Sequence, residues 1–235
     1  MEKTLIPSKG SSRLGGVTAL ILLGYTLATM AFVFGLGGQP ASVQGIFDML
    51  HANRLAGILR LDALTTLVMP LYYLLFLSLY LTLRKDRPLI SLIFLLLGCA
   101  GLTLFLSAPS FFSWLALSDK YAMTTDPAQK SLLLAAGEGV LASDLWHGSS
   151  AFVGGILLQV STLLASLAML RSHSFGKWTA WVGVATHSLD LLHILVMPFL
   201  PAFGAILMAV GGTLYLLWFP LLASDFLRLA RKEIE

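Results

Sequence analysis

Apolar residues dominate this chain in six long runs, and polar residues collect in the gaps between them. The runs cover about residues 14–36, 59–83, 89–107, 148–170, 178–200 and 203–223. A helix rises about 1.5 Å per residue, so roughly 20 apolar residues cross a hydrocarbon layer about 30 Å thick. Only a helix or a closed barrel satisfies its backbone in lipid, and runs this long read as helices. The pattern predicts an all-α polytopic membrane bundle, six transmembrane helices in a single domain over residues 1–235.

Two of the gaps carry helical signals of their own. From Ala41 to about Ile58, Phe47, Leu50, Leu55 and Ile58 recur at helical spacing, as in a segment lying along an interface. A longer gap, about 108–146, contains Asp126 as an N-cap, Pro127 at the first helical position and Gln129 three residues after the cap. Leu133, Ala136, Val140 and Leu141 then fall on one face, which predicts an external amphipathic helix over the bundle. Trp114, Tyr121, Trp146, Trp178 and Trp218 are expected in interfacial belts. Pro70 and Pro220 are expected to kink their helices.

Charge orients the bundle. Lys3, Lys9, Arg13, Arg84, Lys85, Arg87, Arg171, Lys177, Arg228, Arg231 and Lys232 fall on one side of the six-span topology. Arg54, Arg60, Lys120 and Lys130 fall on the other. The positive-inside rule then places both termini in the cytoplasm. The first run is longer than a signal-peptide core and no small-residue cleavage site follows it, so it is expected to remain as a helix.

Composition agrees: 57% of residues are apolar, 11% are charged and the mean hydropathy is +0.85, against a charged fraction of about a quarter in soluble domains. Membrane lipid is the expected surrounding. The pI of about 9.1 follows from the cytoplasmic loops and calls for no nucleic acid. Cys99 is the single cysteine, so no intrachain disulfide or cysteine cluster can form. No Gly-x-x-x-x-Gly-Lys-Ser/Thr, His-Glu-x-x-His or Gly-x-Ser-x-Gly motif occurs, and no span contains the lysine that a retinal linkage needs.

The fifth run holds the strongest chemical signal, Thr186-His187-Ser188-Leu189-Asp190-Leu191-Leu192-His193. A carboxylate at mid-bilayer costs about 2.5–3.5 kcal/mol, so it faces a partner inside a bundle. At about 100° per residue His187 and His193 lie on either side of Asp190 on one broad face. Arg60 and Asp62 at the start of span two, and Glu138, Asp144 and His147 before span four, bring further polar groups to the outer side. Together these eight residues form the candidate ligand site. A subset, His147, His187, Asp190 and His193, offers the ligand types of a zinc hydrolase. Histidine can also hold a haem or quinone, a transporter could use the same seam, and Asp190 paired with Arg60 would be structural. No particular cofactor is implied. The leading expectation is a non-enzymatic membrane protein binding a small apolar or amphipathic ligand in an outward-facing pocket. A metal-dependent intramembrane hydrolase comes second and a small transporter third.

Gly211-Gly-Thr-Leu-Tyr-Leu-Leu-Trp-Phe-Pro-Leu-Leu, Asp225-Phe-Leu-Arg-Leu, Met169-Leu-Arg-Ser-His-Ser-Phe-Gly-Lys and the Leu- and Tyr-rich second span carry a resemblance. The chain resembles an uncharacterised family of small six-span prokaryotic integral membrane proteins, domain-of-unknown-function family four-three-eight-six. The resemblance implies a fold and a location and carries no site residues with it.

Overall fold

The structure, a computed structural model, describes residues 9–108 and 111–232; of Lys9 only the backbone is described, and Lys3 lies outside the described residues. All regular structure among them is helical. The helices are α1 (Lys9–Leu36), α2 (Val43–Ala52), α3 (Arg54–Arg60), α4 (Ala63–Val68), α5 (Leu71–Leu83), α6 (Pro88–Leu106), α7 (Phe111–Met123), α8 (Pro127–Leu141), α9 (Ser149–Leu170), α10 (Lys177–Val196) and α11 (Pro201–Lys232).

Five stretches are long and apolar enough to cross a membrane: Gly10–Leu36, the one that begins with α6 (Pro88–Leu106), Ser149–Leu170, Lys177–Val196 and Pro201–Lys232. These make the protein a multi-pass, membrane-embedded helical bundle. One of the six expected spans is not a long continuous helix, and that exception is span two. Its predicted run is broken at Leu61–Asp62 and again at Met69–Pro70 into α3, α4 and α5. Asp62 has no place in a continuous apolar helix, and Pro70 has no N–H to donate and does not kink a helix here but separates two. The 13 residues of α5 span about 20 Å, less than the hydrocarbon thickness. Pro220, by contrast, lies inside the 32-residue α11.

The chain forms two compact units. The described residues of the first are 9–26, 70–103 and 154–232. Its core is apolar and aromatic, with Leu22, Leu75, Phe76, Leu79, Phe94, Met169, Trp218, Phe219 and Phe226 fully enclosed. Trp218 therefore packs inside the unit and not in an interfacial belt, whereas Trp178 is 78% exposed. Small residues let helix backbones meet: a Cβ on Gly101 of α6 would stand 2.8 Å from the Gly154 carbonyl oxygen of α9. At one end Asp225 of α11 accepts from Gly176 N–H (2.8 Å) and Thr179 Oγ1 (2.6 Å). This carboxylate satisfies donors at the start of α10, where the N-cap Gly176 has no side chain to do so.

The second unit comprises residues 27–69 and 104–153. Short amphipathic helices enclose a small core of Val43, Ile46, Phe47, Leu50, Leu61, Phe111 and Trp114. Sequence-local caps set their boundaries. Ser42 accepts from Gly45 N–H and Asn53 from Ala56 N–H, while Asp126 accepts from Ala128 N–H at the predicted start of α8. Gly37, at φ +83°, ends α1 in a left-handed conformation that a Cβ disfavours. The inward face of α8 is Leu134, Gly137, Val140 and Leu141, rotated from the predicted one; Ala136 is exposed. α7 is a helix the sequence reading left inside a gap. It buries Phe111, Trp114 and Ser118, so Trp114 is core and not interfacial, and Arg54 of α3 pairs with its Asp119 through two bonds of 2.7 and 3.0 Å.

Candidate functional site

The site assembles on α9, α10 and α11 of the first unit. Gly183, Thr186, His187 and Asp190 occur at helical spacing on one face of α10, and Tyr215 and Trp218 share a face of α11. Asp190 lies about 20 Å along α10 from Lys177. Its own backbone N–H and C=O belong to the helix, so its carboxylate must find side chains on neighbouring helices.

It finds two. The Tyr215 hydroxyl donates to Asp190 Oδ2 at 2.7 Å, and Gln159 Nε2 of α9 donates to the same oxygen at 3.2 Å. Gln159 Nε2 also lies 3.4 Å from the Tyr215 oxygen. These contacts fix the amide orientation, because a carboxylate only accepts. Gln159 Oε1 therefore faces His187 Nδ1 at 2.9 Å, and since a carbonyl only accepts, Nδ1 carries the hydrogen. The result is a continuous sequence from His187 through Gln159 to Asp190 and Tyr215. An amide carbon separates the imidazole from the carboxylate, so the network orients its members and does not pass a proton directly between them.

Aromatic rings enclose it. His187 meets Trp218 edge to face at 4.5 Å and 86°, and Tyr215 stacks on Phe219 at 5.5 Å and 26°. His187 is 1% exposed. Its Nε2 and Trp218 Nε1 have no hydrogen-bond partner. Asp190 is only partly buried, and its Oδ1 has no protein donor among the described residues. A Cβ on Gly211 would stand 2.7 Å from this oxygen, so the glycine lets α10 and α11 approach closely at Asp190. Tyr72 of α5 lies within electrostatic reach of Asp190.

The remaining predicted residues are placed differently. His193 directs Nδ1 to the Gly204 carbonyl at 3.2 Å and joins the first turn of α11. Arg60 does not pair with Asp190; it donates to the carbonyls of Gly37 (3.2 Å) and Gly38 (2.8 Å), a cation on the unsatisfied end of α1. Asp62 Oδ1 accepts from Phe111 N–H at 2.7 Å. It lies in the second unit, outside the membrane-crossing helices, and burial pushes its pKa up to about 6 against the opposing pull of that hydrogen bond. Asp144 is buried and accepts on Oδ1 from Trp146 N–H, His147 N–H and His147 Nδ1, and on Oδ2 from Gln39. Glu138 is exposed on α8.

Among the described residues, no three His, Cys, Asp or Glu side chains stand close enough to hold a metal ion. His147, His187, Asp190 and His193 therefore do not share the coordination centre their residue types suggested. The sequence reading missed Gln159 and Tyr215. Gln159 was detectable as the one amide in an otherwise apolar or hydroxyl-bearing helix, and it carries the same desolvation argument that singled out Asp190. Compared with known proteins, the chain matches no family model, no curated protein and no solved structure.

Proposed function

We propose that this multi-pass membrane protein has both termini in the cytoplasm, with the short α5 completing the sixth crossing that an even count requires, and binds a small amphipathic ligand at Asp190 without catalysing a reaction on it. The observation that carries the reading is the asymmetry of the carboxylate: two donors on Oδ2 and none on Oδ1. Carboxylates inside a bundle normally acquire partners, and the acceptor without a protein donor is where a ligand's polar end docks. The orientation rests on charge. Among the described residues the first unit holds ten Lys or Arg against three Asp or Glu, while the second holds four against six. With Lys177 at the cytoplasmic end of α10, Asp190 belongs to the outer half of its helix. Prokaryotic origin, within the family that the closing helix resembles, belongs to the same reading.

Lipid extraction from purified protein tests it. Mass spectrometry of small amphiphiles retained by the wild type and by Asp190→Asn is expected to show at least a fivefold loss in the variant, which keeps the size of the side chain and its acceptor oxygen. Equal retention by the two proteins overturns the reading.

A further inference from the structure

At one end of the first unit two basic turns are joined. The turns at residues 84–87 and 171–177 carry five Lys or Arg against the single Asp86. Ser172, buried between them, donates to Asp86 Oδ2 at 2.6 Å and accepts from Ser174 N–H at 3.0 Å. We infer that this joint is a binding surface for an anionic phospholipid. Its phosphate is held by Lys85, Arg87 and Arg171, and its acyl chains lie along the helices that leave the two turns. The inference is separate from ligand binding at Asp190.

Three observations carry it. First, the cations are uncompensated. The ion pairs among the described residues are Arg54–Asp119, His147–Asp144 and Arg228–Asp225, and none of them takes Lys85, Arg87 or Arg171. Asp225, which bonds the start of α10, is already occupied by Gly176, Thr179 and Arg228. Arg84 lies over the Tyr80 ring at 5.6 Å and Lys177 donates to the Leu170 carbonyl, so these two cations are held against the protein. Like charges brought together in two tied turns repel one another until an anion joins them. Second, the joint lies where a membrane surface must be. α9 and α10 are each long and apolar enough to cross, so the turn between them stands at headgroup level, where clustered Lys and Arg attract acidic lipid. Third, an apolar surface continues from the charge. Trp178 and Trp181 share a face at the start of α10 and are 78% and 58% exposed, and Leu89, Leu92 and Leu96 are exposed along one face of α6. Tryptophan rings settle at the boundary between headgroups and acyl chains. A soluble phosphate would use the cations alone, whereas a phospholipid uses both surfaces.

The test reconstitutes the full chain in phosphatidylcholine vesicles and titrates in bromine-labelled phosphatidylglycerol, reading the quenching of tryptophan fluorescence against that by bromine-labelled phosphatidylcholine. A preference of roughly tenfold or more for the anionic lipid is expected. The triple variant Lys85→Gln, Arg87→Gln, Arg171→Gln is expected to erase it, and the double variant Lys120→Gln, Lys130→Gln in the second unit to leave it unchanged. Ser172→Ala keeps every charge but unties the turns, and is expected to lower the preference several-fold. Equal quenching by the two lipids overturns the inference, as does a preference that survives the triple variant or falls equally in the double one. Survival of the full preference in Ser172→Ala also overturns it, because the cations then act as unorganised charge. Displacement of the quencher by sodium phosphate beyond that by sodium chloride of equal ionic strength assigns the cations to a soluble anion instead. If the triple variant fails to fold, the wild-type preference, Ser172→Ala and the phosphate competition decide alone.

Discussion

Asp144 and Asp190 are both drawn out of solvent, one in each unit, and they are satisfied in opposite ways. Asp144 sits in the turn before α9, where helical hydrogen bonding has not begun. Backbone donors two and three residues on reach it, and it accepts from Trp146, His147 and, across the unit, Gln39. Asp190 sits within α10, where every nearby N–H already points along the helix axis. It accepts only from side chains on α9 and α11, and both donors choose one oxygen. An acid at a turn can be saturated locally and so becomes a structural clamp. An acid inside a spanning helix depends on its neighbours, and what they leave open is available for a ligand.

Removing Asp144 should produce the largest loss. Asp144→Ala is expected to destabilise the second unit by about 3 kcal/mol, since it strands several donors at once. Hydrogen exchange over residues 144–150 should rise with it. Asp190→Ala, by comparison, is expected to cost about 1–2 kcal/mol in detergent unfolding, in keeping with the modest worth of side-chain bonds between membrane helices. An equal cost for the two would break the contrast.

Gln159→Leu sharpens the same comparison from the other side. It leaves His187 Nδ1 without its acceptor and removes one of the two donors to Asp190, with an expected cost of about 1–2 kcal/mol. If ligand retention survives that change, the amide is a positioning group and not part of the ligand's contact.

Asp62 supplies a pH test confined to the second unit. Its pKa in the folded chain, about 6, lies above the ordinary carboxyl value of 3.8, so the folded state holds an extra proton between these values. Stability is therefore greatest below about pH 4 and falls as pH rises through about 6, by about 1 kcal/mol once partial screening is allowed for. Asp62→Asn should flatten this dependence, measured as midpoint against pH. The smallest effect is expected for His147→Ala. The side chain of His147 is largely exposed, and Asp144 keeps its two backbone donors, so thermal stability should move by under about 0.5 kcal/mol.

Much of the fold was legible because lipid imposes a simple rule on sequence. Five of the six apolar runs are helices near their expected bounds, and Asp126-Pro127 starts α8 where the capping pattern placed it. Span two failed the rule visibly: Asp62 and Pro70 lie inside a run whose mean hydropathy still reads as a crossing. Averaging over a window hides the breaks that single residues impose. α7 was illegible for a related reason, since Phe111 and Trp114 suit an interface and a small core equally well. The face of α8 was right at Val140 and Leu141 and misjudged at its start, where Leu134 and Gly137 turn inward in place of Leu133 and Ala136, because leucines at 132, 133 and 134 leave periodicity ambiguous.

For the site, the sequence by itself determined that Asp190 and His187 must be enclosed in a bundle, because a helix in lipid cannot leave a carboxylate or imidazole facing hydrocarbon cheaply. It also determined, through the distribution of Lys and Arg, which ends of the helices are basic. Which residues would meet Asp190 was decided by the tertiary structure alone. Asp190 lies 31 residues from Gln159 and 25 from Tyr215 along the chain, yet their meeting depends on how α9, α10 and α11 rotate against one another. That rotation is set by packing at residues such as Gly183, Gly211 and Trp218, whose steric demands appear only when the helices are in contact. Within the second unit Arg60 goes to the end of α1 and His147 to Asp144, because a polar side chain takes the nearest unsatisfied backbone or carboxylate it can reach.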